Sequence, residues 1–333
     1  MHSCGLPWRV TIKDMELETA ARIRVKRFQR SETPPPLQLT ARDLNLLAHV
    51  ARHRFLSSAH LCALDGGSPQ NVLRCLRALF DHGYLDRPAA QKIGLSEEGP
   101  RPFVYGLGKK GARALREHGD LIDIGVDWTE KNKRAGAIFI EHTLEVADFM
   151  TGLELACRGR NDVELMRERE VLALAPEETR GTREPLRWKV DKVMMGRKET
   201  FSVVPDGLFG LVFPDETAAY FVLEVDRGTI PLLRTDVPGT PAWRKSISYK
   251  LSTYWEGWKA QQHVTQFGVK QVRVAMVTNS AERVKNMLSV VDELTEGRGT
   301  NFFLFVDRET LAASDPLSAE WTTGKGERVR LTD

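Results

Sequence analysis

A chain of 333 residues, 41% hydrophobic and 28% charged, is long enough for more than one domain and apolar enough to give each a core. It has no apolar run of membrane-spanning length, no secretory-signal core near its start, and four scattered cysteines (Cys4, Cys62, Cys75, Cys157) with no CxxC pair. The expectation is a cytoplasmic protein with reduced thiols, no membrane association and no zinc site.

Charge is uneven. Residues 1–118 hold 19 Lys and Arg against 11 Asp and Glu, so a front of +8 precedes a remainder of −5 in a total of +3. A basic front suggests a polyanion partner. Residues 1–36 form a basic extension: Arg22, Arg24, Lys26, Arg27 and Arg30, then Thr33 and three prolines to Pro36, which exclude helix. Such a run is a solvated tail or a DNA-contacting arm, and short basic runs are more often tails.

Residues 37–118 read as a winged helix. Thr40, with Asp43 three residues on, opens a helix striped by Leu44, Leu47 and Val50. Ser57 opens a second helix, and Ser68-Pro69 starts a third whose buried face is Val72, Leu73, Leu76, Leu79 and Phe80. Gln70, Arg74 and Arg77 share the opposite face with Asn71 beside them, the residue types whose paired donors and acceptors match base edges in a major groove. Tyr84–Arg87 and Phe103–Leu107 are wing strands, and a helix then runs to His118. Lys92, Arg101, Lys109 and Lys110 are phosphate contacts from the wing, and the partner expected is double-stranded DNA. The bland alternative is a protein-contacting winged helix with solvated arginines. His49 and His53, four apart, have no Cys or carboxylate motif around them and read as a polar helix face.

Residues 119–136, polar and holding Trp128, Lys131, Lys133 and Arg134, read as a linker. Residues 137–312 alternate helix and strand, an α/β pattern with a mixed central sheet. A helix over Ile138–Ala156 carries an acidic stripe of Glu141, Glu145 and Asp148, with His142 between. A strand follows at Val163–Leu172 and an exposed loop at Pro176–Pro185. Two strands, Ser202–Phe213 and Ala218–Val225, are joined by the Pro214-Asp215 turn. After a Pro- and Gly-bearing loop over Gly228–Ala242 come a helix (Arg244–His263), a strand (Gln271–Thr278), a helix (Glu282–Leu294) and a strand (Phe302–Val306). The tail, 313–333, adds a hairpin through Trp321 to Leu331. No glycine-rich phosphate loop or GxSxG occurs, which argues against an NTPase or a serine hydrolase.

The chemistry concentrates at Asp206, Glu224 and Asp226. Residues at i and i+2 of a strand face the same way, so Glu224 and Asp226 project together and the neighbouring strand can bring Asp206 beside them. Three carboxylates at the mouth of an apolar hairpin need a cation or basic partners, and an oxygen-rich cluster suits Mg²⁺ or Mn²⁺. Arg227 and Arg234 flank them.

This arrangement resembles the PD-(D/E)xK nuclease signature, with Asp206 on one strand and Glu224-x-Asp226 on the next. The resemblance implies that Asp206 and Glu224 hold Mg²⁺, and it departs from the signature where Asp226 stands at the lysine position. A winged helix followed by PDG and EVDRG, over Leu37–Asp307, is similar to the replication-relaxation family of mobile-element proteins. Similarity to that family implies a role in plasmid or integrative-element replication or mobilisation. Lys250 and Tyr254, four apart, resemble the Gln-x-x-x-Tyr helix of one nuclease branch with Lys250 at the Gln position, which implies either a migrated lysine or a surface lysine beside a core tyrosine. By the same likeness the first core helix can lend Glu141 or Glu145 to the metal, although a solvated acidic face is commoner. Three functions stay open: a Mg²⁺-dependent DNA endonuclease, an inactive nuclease fold acting as a DNA-binding regulator, and a protein–protein adaptor among DNA-processing partners.

Overall fold

The structure, a computed structural model, describes residues 28–94, 101–118, 128–194, 197–229 and 246–333. The described residues divide into two compact units, 28–151 and 152–333.

The first unit contains α1 (Ala41–His53), β1 (Phe55–Ser57), α2 (Ser58–Asp65), α3 (Pro69–Asp81), β2 (Leu85–Asp86), a 3₁₀ turn (Ala89–Gly94), β3 (Val104–Leu107), α4 (Lys109–Glu117) and α5 (Trp128–Arg134). Local signals account for the helix starts. The Thr40 hydroxyl accepts from the Asp43 N–H and the Asp43 carboxylate accepts from the Thr40 N–H at 2.9 Å, a reciprocal cap. Ser57 does the same for α2 with His60, and Pro69 takes the first position of α3, where its missing N–H costs nothing. The strands form an antiparallel sheet in the order β1-β3-β2. Leu47, Val50, Leu61, Leu76, Leu79 and Leu107 are among the fully buried residues that hold helices to sheet.

The polar stretch after residue 118 is not all open chain. Residues 119–127 lie outside the described ones, but α5 packs on β3 and Asn132 is 2% exposed, its Nδ2 donating to the Leu107 carbonyl at 2.8 Å and to Asp86 at 3.1 Å. One side-chain amide thereby satisfies a buried strand carbonyl and a buried carboxylate.

Helix α6 (Ala137–Arg158) runs through the boundary between the units. The second unit continues with β4 (Glu164–Met166), α7 (Glu168–Ala173), α8 (Glu177–Arg180), β5 (Trp188–Met194), β6 (Arg197–Val203), β7 (Gly207–Val212) and β8 (Ala218–Val225). After the undescribed 230–245 come α9 (Ile247–Lys259), α10 (Gln262–Phe267), β9 (Arg273–Thr278), α11 (Ala281–Leu294), β10 (Phe303–Asp307), α12 (Arg308–Ala313), β11 (Trp321–Thr323) and β12 (Arg328–Val329). Seven strands make one mixed sheet, β12-β11-β10-β9-β8-β7-β4, with β8, β9 and β10 parallel and the other pairs antiparallel. The apolar run of β8 is explained by its place between β7 and β9, and the last hairpin, β11–β12, extends the same sheet.

Three expectations are corrected here, and a fourth feature was not foreseen. The strand expected over Val163–Leu172 is three residues of β4, after which the chain turns into α7. The loop expected at Pro176–Pro185 contains α8, with Thr179 buried. The single strand expected over Ser202–Phe213 breaks between β6 and β7 at Pro205, which has no N–H for a ladder. Finally, β6 pairs with β5 in a separate hairpin that packs on α9 through Trp188, Phe201 and Val203. Trp188 is fully buried there, and it lies so close to Gly257 that a Cβ on that glycine would fall 1.8 Å from Nε1.

Candidate functional site

In the second unit, β7 and β8 bring the expected carboxylates to one face of the sheet. Gly207 stands opposite Leu223, so Asp206 falls opposite Glu224, and Asp226 follows two residues on. Each carboxylate finds its own partners. Glu224 is 1% exposed; its Oε2 accepts from Lys250 Nζ at 2.6 Å and its Oε1 from the Tyr254 hydroxyl at 2.5 Å. Successive turns of α9 supply the two donors, and Ser246 fixes the start of that helix by accepting from the Tyr249 N–H at 3.2 Å. Asp226 is 5% exposed and takes both oxygens to the Arg283 guanidinium on α11, with the Thr278 hydroxyl 2.8 Å from Oδ2 and the Gly228 N–H 3.2 Å from Oδ1. Gly228 has φ +76°, which lets the chain turn back onto the aspartate. Asp206 is half-buried, and its Oδ2 accepts from the Val225 N–H at 2.8 Å.

The electrostatics follow from burial. Removal from water pushes the Glu224 carboxyl up, to about 7, against the opposing pull of Lys250. Burial works to lower Lys250, but Glu224, Asp206 and Asp226 together outweigh it and push the ammonium up to about 12. Burial also raises the Tyr254 phenol well above its ordinary value, so it stays a donor to Glu224.

This geometry answers the cation question. Mg²⁺ requires oxygen ligands at about 2.1 Å in octahedral array, whereas the Glu224 and Asp226 oxygens face N–H and O–H donors. Among the described residues, no three His, Cys, Asp or Glu side chains are grouped so as to hold a metal ion. As arranged, the carboxylates do not fit a preformed divalent site. They are neutralised from within the protein, by Lys250 and by Arg283, a partner lying 57 residues from Asp226 that no local spacing announces.

Glu141, His142 and Glu145 lie in the part of α6 that belongs to the first unit, while the three carboxylates belong to the second. Asp148 of the same stripe meets His60 Nε2 at 2.5 Å; because His60 Nδ1 accepts from the Ser57 N–H at 3.2 Å, the ring proton sits on Nε2. The buried acid of α6 within the second unit is Glu154, 3% exposed and paired with Arg158 at 2.6 Å and Arg167 at 3.1 Å. Glu168, also unremarked in the sequence, accepts from the Leu208 N–H beside the start of β7.

In the first unit, α3 turns Gln70 and Arg74 to solvent, with Asn71 half-buried and accepting from Arg74. Arg77 is braced instead. Its Nε donates to Asp81 at 2.7 Å and its guanidinium lies 5.6 Å from the Phe80 ring centre. Arg101 is exposed, and so are Lys109 and Lys110 in the first turn of α4, where the helix dipole disfavours cations and favours an anion. The side chain of Lys92, Arg234, and Arg22, Arg24, Lys26 and Arg27 lie outside the described residues. Arg30 is no free arm residue: it donates to the carbonyls of Phe80 and Leu85 and pairs with Asp86 at 2.6 Å. Cys62, Cys75 and Cys157 are free thiols, and no described helix is long and apolar enough to cross a membrane.

The fold and these sites are those of an α/β protein with a small helical, sheet-backed unit ahead of a mixed sheet. The family model described as Replication-relaxation matches residues 47–269, about two thirds of the chain, and the protein belongs to that family. Neither the curated proteins nor the solved structures yield a match. The family's description points to a role in the replication or mobilisation of mobile elements.

Proposed function

We propose that this protein is a duplex-DNA-binding factor of plasmid or integrative-element replication or mobilisation, with a winged helix as its reading head and a PD-(D/E)xK-like second unit that works without catalysis. The observation that carries the reading is the outer face of α3, where Gln70 and Arg74 are exposed at the start of the helix and no acidic residue stands in its first turn. In this reading Gln70, Asn71 and Arg74 meet base edges, while Arg101, Lys109 and Lys110 meet phosphates. Arg77 then acts through Asp81, holding the helix rather than touching DNA.

The test is an electrophoretic shift of the full chain on duplex DNA over a salt series, because phosphate neutralisation makes affinity fall steeply with salt. Binding that Arg74→Ala with Lys109→Ala and Lys110→Ala leaves unchanged removes this face from the interface.

A second reading, a Mg²⁺-dependent endonuclease, draws support from Asp206 lying opposite Glu224 with Lys250 in contact. It requires Lys250 to surrender Glu224 on loading. Purified protein, given supercoiled DNA with Mg²⁺ or Mn²⁺, is expected to leave it intact; nicking lost in Asp206→Ala would establish the second reading in place of the first.

A further inference from the structure

The carboxylate face of the second unit poses a physical problem. Uncompensated, a buried carboxylate at 1% exposure beside two others would be strongly disfavoured. Folds with oxygen-rich sites of this kind usually meet the problem with a divalent ion.

We infer that the Lys250 ammonium is a tethered replacement for that ion, so that the second unit is metal-independent by construction. Three observations converge. Lys250 Nζ sits 2.6 Å from Glu224 Oε2, and Asp206 stands opposite Glu224 on the paired strand. The other oxygen of Glu224 is closed by Tyr254 from the next turn of the same helix, which leaves neither oxygen of the group facing water. The third carboxylate, at the position where the nuclease signature places a lysine, is held by the two-pronged grip of Arg283 and by Thr278. Lys250 cannot leave as an exchangeable ion would, because α9 carries it into place along with Tyr254 and the buried Leu251.

The inference concerns residues 206–283 alone, so its outcome is independent of DNA binding by the first unit. It is tested by Mn²⁺ titration of the full chain, read by electron paramagnetic resonance of free Mn²⁺ and by melting temperature. Wild type is expected to leave the free-ion signal and the melting temperature unchanged. Lys250→Met removes the charge while keeping much of the chain's bulk, and it should gain a Mn²⁺ site. With the ion at about 100 times its Kd, the melting temperature should rise by roughly 5–10 °C. Asp206→Asn in the Lys250→Met background should abolish that gain. If Lys250→Met does not fold without metal, Glu224→Gln combined with it is expected to fold and to ignore Mn²⁺, because a neutral pair needs no cation. Mn²⁺ binding by wild type that requires Asp206 overturns the inference. So does a folded Lys250→Met with no gain of metal, and so does failure of the neutral pair to restore folding.

Discussion

The basic face of the first unit and the acidic face of the second hold opposite charges and are treated in opposite ways. On α3 and α4, Arg74, Lys109 and Lys110 stand in solvent, with the two lysines where a helix dipole works against them. On β7, β8 and the turn after them, Glu224 and Asp226 are buried, and each is met by a basic side chain brought from a separate helix. A charge left at the surface against its local field is available to a partner, whereas one neutralised inside is already taken up by its counter-charge. The contrast between Arg74 and Arg77 repeats the lesson over one helix turn: both arginines lie on the same side of α3, but Asp81 engages only the second of them.

The contrast can be broken most forcefully at Arg283. Arg283→Met leaves the buried Asp226 without its cation and should cost about 3–5 kcal/mol of stability by denaturant unfolding, with DNA affinity per folded molecule unchanged. If Asp226 tolerates the loss with no change in midpoint, the acidic face is not held as described.

Next in size is the response to pH. Folding raises the Glu224 carboxyl to about 7 from an ordinary 4.5. Its contribution is therefore fully present below the unfolded value and is lost as pH rises through the folded one. Wild type should thus lose stability relative to Glu224→Gln between about pH 4.5 and 7, the variant staying flatter over that window. Parallel stability curves for the two would place the titration elsewhere.

On the basic face, Arg74→Ala should weaken specific DNA binding by about 1–3 kcal/mol while leaving the melting temperature within experimental scatter. The smallest effect is expected from Lys109→Ala with Lys110→Ala. At a fixed low salt the loss is modest and uniform across sequences, but the slope of log affinity against log salt should fall by roughly 2. A sequence-dependent loss would instead move α4 into the base-reading set.

Much of this was legible locally. Thr40 with Asp43, Ser57 and Ser68-Pro69 announce three helix starts, and the structure begins α1, α2 and α3 there. The spacing of Glu224 and Asp226, and of Lys250 and Tyr254, marks out most of the carboxylate network in the sequence. What escaped is what depends on distance along the chain. Arg283 reaches Asp226 only because β9 runs parallel to β8 and delivers α11 to the strand ends. The β5–β6 hairpin went unread, although Trp188 and Val190 on one strand and Phe201 and Val203 on the other alternate with polar residues. Asn132 gave no signal, because a polar residue in a polar stretch says nothing about the buried carbonyl it serves.

The clasp made by Arg30 bears on where the first unit starts. The last carbonyls of a helix need donors from somewhere, and α3 takes one from a guanidinium fifty residues upstream, which also grips Leu85 and Asp86 while the Ser31 N–H donates to Asp81. His82 reaches the same segment through the Pro35 carbonyl at 2.8 Å. A fragment cut at Leu37, where the helical pattern begins, would therefore keep every helix and strand of the unit but lose the strap that fastens the end of α3. Its amides in that last turn would exchange with solvent by local fraying rather than by cooperative unfolding. For cloning, tagging or proteolytic trimming, Arg30 through Pro35 travel with this module, so a cut belongs ahead of the prolines and not behind them.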